Sequence, residues 1–242
     1  PCFGTTERTR TNAQRLCEAL GVTLQHVDIT QTVRSNFADI GQDVHIIGEL
    51  LEDAVNEGVR QAYTEGNLRK SVVTDPLNRQ NTEDNTPAIL HVRLVPGNSI
   101  TLTVVPQGAG SENASSMKMF HASATREDII RYVVSCVQEN RGKACTPLIV
   151  GIGIGGNTEM CTLLAKRALC RDLFTYNKKL YYTDMESEIL DRINRLGIGP
   201  EDMGGAVTAL AVNIISYPTH VSSLPVAVNL GCHVTRHATE VI

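Results

Sequence analysis

Two cysteines in apolar, turn-rich segments are the residues of this chain that could do the most distinctive chemistry. Cys145 lies in residues 143–147 and Cys232 in residues 229–233, each near proline or glycine. Thiolates held on loops, with backbone N–H groups nearby to bind negative charge, are what an iron–sulfur cluster requires. Two thiolates fall short of the usual four, and a cluster with one iron left open for chemistry needs a third. The sequence therefore predicts a cluster site whose third cysteine has to be found elsewhere.

Three further cysteines are predicted to be core residues. Cys136, Cys161 and Cys170 fall inside helical patterns, where a buried thiol acts as a small hydrophobe. The seven cysteines are odd in number and have no framework spacing, which predicts a reducing, cytoplasmic setting. His233 and His237 invite a zinc interpretation, but the chain has no C-x-x-C motif, which argues against zinc.

Two glycine-rich segments could bind anions. Residues 151–156 fit the pattern G-x-G-x-x-G, yet no clear second strand ends in an acidic residue about 20 positions later, as a dinucleotide site requires. The favoured interpretation is a tight strand–helix turn whose N–H groups face an anion or a cluster. Residues 107–113 form the second segment, in which backbone amides, Ser111 and Asn113 could reach a carboxylate. The alternative for this segment is a mobile surface loop.

Two charged or titratable residues are candidates for substrate contacts. Arg69 could bind a dicarboxylate in a bidentate fashion, although a lone arginine is more often a solvated surface charge. His220 precedes an apolar strand that leads to Cys232, which predicts that it faces the same cavity. The alternative for His220 is a structural or surface histidine.

The composition predicts a globular protein that binds neither nucleic acid nor membrane. The chain has 242 residues, of which 42% are hydrophobic and 20% charged, so a sizeable core is expected. The net charge is -4, only 4% of the residues are aromatic and tryptophan is absent, which excludes a basic or base-stacking surface. No apolar run is long enough for a membrane span, and no leader sequence is expected.

The periodicity of apolar residues predicts an α/β, or mixed α+β, fold. A capping box of Thr125 and Asp128 marks the start of one helix. A hairpin is expected around Pro96 and Gly97, and a functional loop over residues 105–116. Helices are predicted at 6–20, 49–65, 125–138, 157–170 and 185–196, and strands at 22–29, 88–95, 99–105, 147–154, 206–215 and 225–230.

Five segments in order resemble one enzyme family over about residues 40–242. They are residues 68–73, 84–87, 108–113, 150–156 and 220–227. Together they resemble the alpha subunit of class I fumarases and L-tartrate dehydratases. This resemblance implies an alpha-subunit-like domain of an oxygen-sensitive [4Fe–4S] hydro-lyase, which adds or removes water across a fumarate/malate or tartrate type of dicarboxylate.

The resemblance also assigns roles to particular residues. It implies that Cys145 and Cys232 are cluster ligands, that Arg69, Gly108 and Gly110 bind the substrate, and that His220 is catalytic. The open iron of the cluster would act as a Lewis acid. The implied partners are a beta subunit, a second copy of the chain in a homodimer, or both, besides the small dicarboxylate.

The N-terminal segment departs from the family. The family's first cluster cysteine stands in a Pro-x-Cys-Gln-Asp-Thr-Gly motif, and no such motif precedes residues 40–45. Cys2 and Cys17 lack the flanking Gln-Asp. Residues 1–39 instead resemble a fragment of NAD synthetase, which predicts a division into residues 1–39 and 40–242. The alternative function is therefore an inactive chimeric or relic scaffold without a competent cluster.

Overall fold

The computed structural model describes residues 50–233 and 237–242. The predicted helix at 6–20, the predicted strand at 22–29, Cys2 and Cys17 lie outside the described residues. The chain divides into two compact units, residues 1–99 and residues 100–242. The sequence did not predict this division, and the boundary expected at residue 39 stays a prediction.

The first unit contains one long helix and an extended segment held by polar side chains. Helix α1 spans Leu51–Glu65 and stops at Gly66, which confirms the helix predicted at 49–65. None of the residues of this helix is buried. The following segment folds around Asn85, whose Oδ1 accepts hydrogen bonds from the N–H groups of Ser71 and Val72 at 2.7 and 3.3 Å.

The second unit is built on a four-stranded mixed sheet flanked by helices. The sheet order is β2 (Ser116–Phe120), β5 (Leu224–Gly231), β3 (Leu148–Gly155) and β4 (Ala209–Tyr217). Strands β3 and β4 run parallel, and β5 runs antiparallel to both β2 and β3. A separate two-stranded sheet joins β1 to β6. This arrangement confirms the predicted α/β class. The elements of the unit are β1 Thr101–Val104, α2 Ala109–Asn113, β2 Ser116–Phe120, α3 Arg126–Glu139, β3 Leu148–Gly155, α4 Thr158–Ala168, α5 Leu180–Asn194, a 3-10 turn Pro200–Asp202, β4 Ala209–Tyr217, β5 Leu224–Gly231 and β6 Ala238–Val241.

The predicted hairpin around Pro96 and Gly97 is wrong. Residues 88–95 form no strand, and Ile89 and Leu94 are both 88% exposed. Strand β1 pairs instead with β6, with Thr101 opposite Val241. The alternating apolar pattern indicated a strand correctly for β1, but local sequence cannot identify a pairing partner at the other end of the unit.

The glycines of β3 allow a helix to lie directly on the sheet. On one side of the strand, Val150 and Ile152 belong to the main core, which is completed by residues of α3 and α5. On the other side, a Cβ atom at Gly151 would lie 2.2 Å from the carbonyl oxygen of Ala165 in α4. A Cβ atom at Gly153 would lie 2.0 Å from the carbonyl oxygen of Cys161, one helical turn earlier in α4. Both glycines therefore serve close helix–sheet packing inside a strand, and the G-x-G-x-x-G pattern forms no dinucleotide turn.

The outer edge of β4 is covered by a buried ion pair, which we call the edge network. Arg171 donates to both carboxylate oxygens of Glu186, at 2.8 and 2.9 Å. The Glu186 carboxylate also accepts from the backbone N–H of Ile214 at 2.7 Å and from Asn177 at 2.9 Å. Asn177 in turn donates to the carbonyl oxygen of Ile214 at 2.9 Å. The network thus satisfies backbone groups that an exposed edge strand would leave open to other chains.

Helix α3 begins with the capping box that the sequence predicted. The Thr125 side chain accepts from the N–H of Asp128, and the Asp128 carboxylate accepts from the N–H of Thr125 at 2.8 Å.

In the part of the chain that the structure describes, no helix is long and apolar enough to cross a membrane.

Candidate functional site

The two predicted cluster cysteines lie at the same end of the central sheet. Cys232 directly follows Gly231, which pairs with Ile149 near the start of β3. Cys145 precedes β3 by three residues. Because β3 and β5 are antiparallel, the start of one strand and the end of the other meet at one edge of the sheet. We call this edge the cysteine end; there Cys145 is exposed and Cys232 is half-buried.

The predicted substrate-binding glycines lie at the cysteine end as well. A cavity of about 50 Å³ is lined by residues that include Gly108, Ser111, Cys232 and His237. Gly110, in α2, packs against the segment that carries Cys145. A Cβ atom at Gly110 would lie 2.0 Å from the carbonyl oxygen of residue 143. The functional loop predicted over 105–116 thus contains a short helix and the first residue of β2, and it contacts the neighbourhood of both thiols.

A side-chain relay fixes this loop to strand β5. Asn229, which is buried in β5, accepts from Nε2 of Gln107 at 2.7 Å and donates to Oγ of Ser115. Ser115 Oγ donates in turn to the carbonyl oxygen of Ser111 at 3.0 Å. Sequence reasoning noted the polar residues of the loop but missed Asn229, because 122 residues separate it from Gln107. A buried asparagine within an apolar strand was the signal that could have found it.

Cys136 and Cys161 are buried inside helices, as the sequence predicted, whereas Cys170 lies two residues beyond the end of α4 and is only half-buried. Burial raises the pKa of the Cys136 and Cys170 thiols, and it raises the pKa of Cys161 to about 11. The Cys161 Sγ also donates to the carbonyl oxygen of Gly153 at 3.2 Å. These thiols therefore stay protonated near neutral pH and are poor metal ligands, since the thiolate is the ligand.

His220 lies at the opposite end of β5 from Cys232. It is an exposed residue that lines a second pocket with Asn157 and Tyr217, where the parallel strands β3 and β4 end. The eight residues of β5 separate this pocket from the cysteine end by roughly 23 Å. The prediction that His220 and Cys232 face one cavity within the chain is therefore wrong, because the strand between them is fully extended. The glycine turn at Gly155 lies at the His220 end too, so it does not face the thiols.

The remaining predicted substrate residue belongs to the first unit. Arg69 is exposed and follows α1 in the segment that precedes the Asn85 contacts. Its predicted role stays a prediction.

The donor set at the cysteine end is incomplete within the described residues. No three His, Cys, Asp or Glu side chains of residues 50–233 and 237–242 group as metal ligands. Cys145 and Cys232, together with the small residues beside them, fit two ligands of a cluster. A third would have to come from outside the described residues or from a partner.

Comparison with known proteins identifies the family of the chain. The family of fumarate hydratase (Fumerase) matches residues 31–241 of the chain. The chain belongs to the fumarate hydratase family. This membership confirms the resemblance to class I fumarases and L-tartrate dehydratases and makes the chain a member of a hydro-lyase family, while the resemblance of residues 1–39 to NAD synthetase stays a prediction.

Individual relatives extend the same finding. A Methanocaldococcus jannaschii protein, provisionally named L(+)-tartrate dehydratase subunit alpha, is 34% identical over 230 residues, which cover 93% of this chain and 77% of that protein. This alignment necessarily includes part of residues 1–39. The L(+)-tartrate dehydratase subunit alpha of Escherichia coli strain UTI89 is 27% identical over 84% of this chain and 68% of its own length. The corresponding protein of strain K12 is 26% identical over 85% of this chain and 69% of its own length.

Proposed function

We propose that this chain is the alpha subunit of a [4Fe–4S]-dependent hydro-lyase that adds or removes water on a small dicarboxylate, fumarate/malate or tartrate. The observation that carries the proposal is the grouping of Cys145, Cys232, Gly108 and Gly110 at the cysteine end. Family membership supports the hydro-lyase class. The names of the relatives support an alpha subunit and favour tartrate among the substrates to be tested first.

In this proposal Cys145 and Cys232 hold two irons of the cluster, and a third thiolate completes the set. When bound, such a cluster supplies an open iron that acts as a Lewis acid on oxygen atoms of the substrate. The protein residues do the positioning. Open space surrounds the position of a Cβ atom at Gly108, so backbone N–H groups there can approach a carboxylate, and Gly110 is the second proposed substrate contact.

The position of His220 makes assembly part of the proposal. Because roughly 23 Å of strand separates His220 from Cys232, His220 can act at the cysteine end only across an interface between chains. We therefore assign completion of the site to a beta subunit, a second copy of the chain, or both. Arg69, which is exposed, would contact the substrate carboxylate in the same assembly. Thiol side chains at Cys136, Cys145 and Cys161 are compatible with a reducing, cytoplasmic setting.

Anaerobic reconstitution with iron and sulfide tests the proposal. The wild-type chain should bind about four irons, and Cys145→Ser and Cys232→Ser should each lose the cluster. Cys161→Ser is the matched control, since Cys161 lies in α4, is buried against the sheet and should not affect the iron content. Equal iron content in all four proteins would contradict the ligand assignment. A folded wild-type chain that binds no stable cluster either alone or mixed with its beta subunit would favour the alternative, an inactive chimeric or relic scaffold.

Activity is tested on the reconstituted complex. The chain is mixed anaerobically with its cognate beta subunit and assayed separately with fumarate, L-malate and L(+)-tartrate. Formation or loss of the double bond is followed by ultraviolet absorption. No turnover of any of the three by a cluster-loaded complex would overturn the substrate class.

A further inference from the structure

A relay of hydrogen bonds fixes the orientation of the Gln107 amide beside the cavity at the cysteine end. Ser115 has one hydroxyl proton, and it is donated to the carbonyl oxygen of Ser111. Ser115 Oγ must therefore accept from Asn229, which places Nδ2 of Asn229 towards Ser115 and its Oδ1 towards Gln107. Gln107 can then only donate to Asn229, through Nε2 at 2.7 Å. The orientation of the Gln107 amide follows from this chain of donors, and its Oε1 is an acceptor that faces away from Asn229.

This acceptor is buried and lacks a partner among the described residues. Gln107 lines the same cavity as Gly108 and Cys232, and its Oε1 accepts no hydrogen bond from residues 50–233 or 237–242. Buried amide oxygens in folded proteins nearly always accept a hydrogen bond, so an unsatisfied one points to a ligand or a bound water. The cavity volume of about 50 Å³ leaves room for a hydroxyl group or a few water molecules.

The ligand class of the proposed function contains one kind of group that matches this acceptor. At neutral pH the carboxylates of a small diacid are acceptors only, and they would oppose the Gln107 oxygen. The hydroxyl of a hydroxy-dicarboxylate is its hydrogen-bond donor, and the unsaturated diacid has no donor. Building on the proposed function, we propose that Gln107 is a specificity-determining residue that accepts a hydrogen bond from the substrate hydroxyl. In the hydration direction, the same oxygen accepts from the water that is to be added.

Binding measurements with matched diacids test the assignment. The complete complex of this chain with its beta subunit and cluster is titrated by calorimetry with L-malate, L(+)-tartrate and succinate, which lacks the hydroxyl. In Gln107→Met, which keeps the length of the side chain but removes the amide, the affinity for L-malate and L(+)-tartrate should fall roughly 10-fold to 100-fold. The affinity for succinate should change by less than about threefold, because no hydroxyl is lost.

A second variant separates the relay from simple packing. Ser115→Ala removes the group that orients Asn229, so the Gln107 amide is free to turn over; a smaller loss of the same selectivity for hydroxylated diacids is expected. Equal losses for all three diacids in Gln107→Met, or unchanged selectivity in both variants, would overturn the assignment of Gln107 while leaving the hydro-lyase activity intact. A wild-type complex that binds none of the three diacids and has no activity would instead overturn the proposed function, and this assignment with it.

Discussion

Breaking the buried ion pair at the edge of β4 should destabilise the second unit strongly. In Glu186→Gln, one acceptor oxygen of the carboxylate becomes an NH₂ group. The remaining oxygen can still accept from the N–H of Ile214, but Arg171 then faces a donor where it had a charged acceptor. The exposed fractions of the two side chains are 19% for Arg171 and 8% for Glu186, so water replaces the lost charged acceptor poorly, and Nη2 of Arg171 keeps only the neutral Oδ1 atom of Asn213, at 2.6 Å, as a close acceptor.

The magnitude follows from the burial of Glu186 and the partial burial of Arg171. Removing one partner of a buried ion pair costs about 3–5 kcal/mol, because the other charge stays desolvated without compensation. Since glutamine keeps one oxygen, we expect a loss at the lower end, about 3 kcal/mol of the free energy of unfolding. For a unit of this size, that loss lowers the Tm by roughly 10 °C.

Chemical denaturation followed by circular dichroism measures the effect, and the same helix offers the control. Glu188 lies two residues further along α5 and pairs with Arg126 and Arg192, but its side chain is 33% exposed. Exposed ion pairs contribute little, so Glu188→Gln should change the free energy of unfolding far less. Losses of the same size in the two variants, or a loss below about 1 kcal/mol in Glu186→Gln, would refute the reasoning.

Two further variants probe the candidate site and the pH dependence of folding. Gly110→Ala should cost about 1–3 kcal/mol of the free energy of unfolding, because its Cβ atom would lie 2.0 Å from the backbone carbonyl oxygen of residue 143, next to Cys145. Both the Tm and the cluster content should therefore fall. Gly108→Ala is the control, since its Cβ atom meets nothing within 4 Å, and equal effects of the two substitutions would contradict the packing argument. The pKa of Asp128 is held below its ordinary value of 3.8 by the backbone N–H and hydroxyl of the helix cap, so its carboxylate stabilises the fold above that value and the contribution disappears as the pH falls through the folded-state pKa. The Tm of wild type should therefore exceed that of Asp128→Asn by a constant amount at neutral pH and by less near pH 3, and a gap that widened on acidification would reverse the assignment.

Local signals predicted the elements of the second unit that depend on neighbouring residues. The capping box at Thr125 identified the start of α3, and the apolar runs identified β3, β4 and β5 to within a few residues. Long-range pairing was not accessible in the same way. The hairpin around Gly97 was wrong because β1 pairs with a strand at the end of the chain, a contact that carries no local signature.

In the candidate site, too, the features with local signals could be predicted and the long-range contacts could not. The unusual setting of Cys145 and Cys232 and the glycine-rich loop beside them were readable from residue types, and the structure brings these segments to one edge of the sheet. The position of His220 relative to Cys232 could not be predicted in this way. Twelve residues that bend back bring their ends together, whereas the extended strand β5 holds them far apart. The Gln107–Asn229 contact was also invisible, because nothing in the intervening sequence specifies how a loop is tied to a strand.

The pairing of β1 with β6 has a consequence for the topology of the second unit. Ile100 and Ile242 exchange two backbone hydrogen bonds of 2.8 Å, so the first and last residues of the unit are neighbours in space. Residues 100 and 242 are therefore close enough for a short covalent linker to join them. Linking residue 242 to residue 100 and opening the unit at a surface turn would keep the strand neighbours of both sheets, which makes the unit a subject for circular permutation.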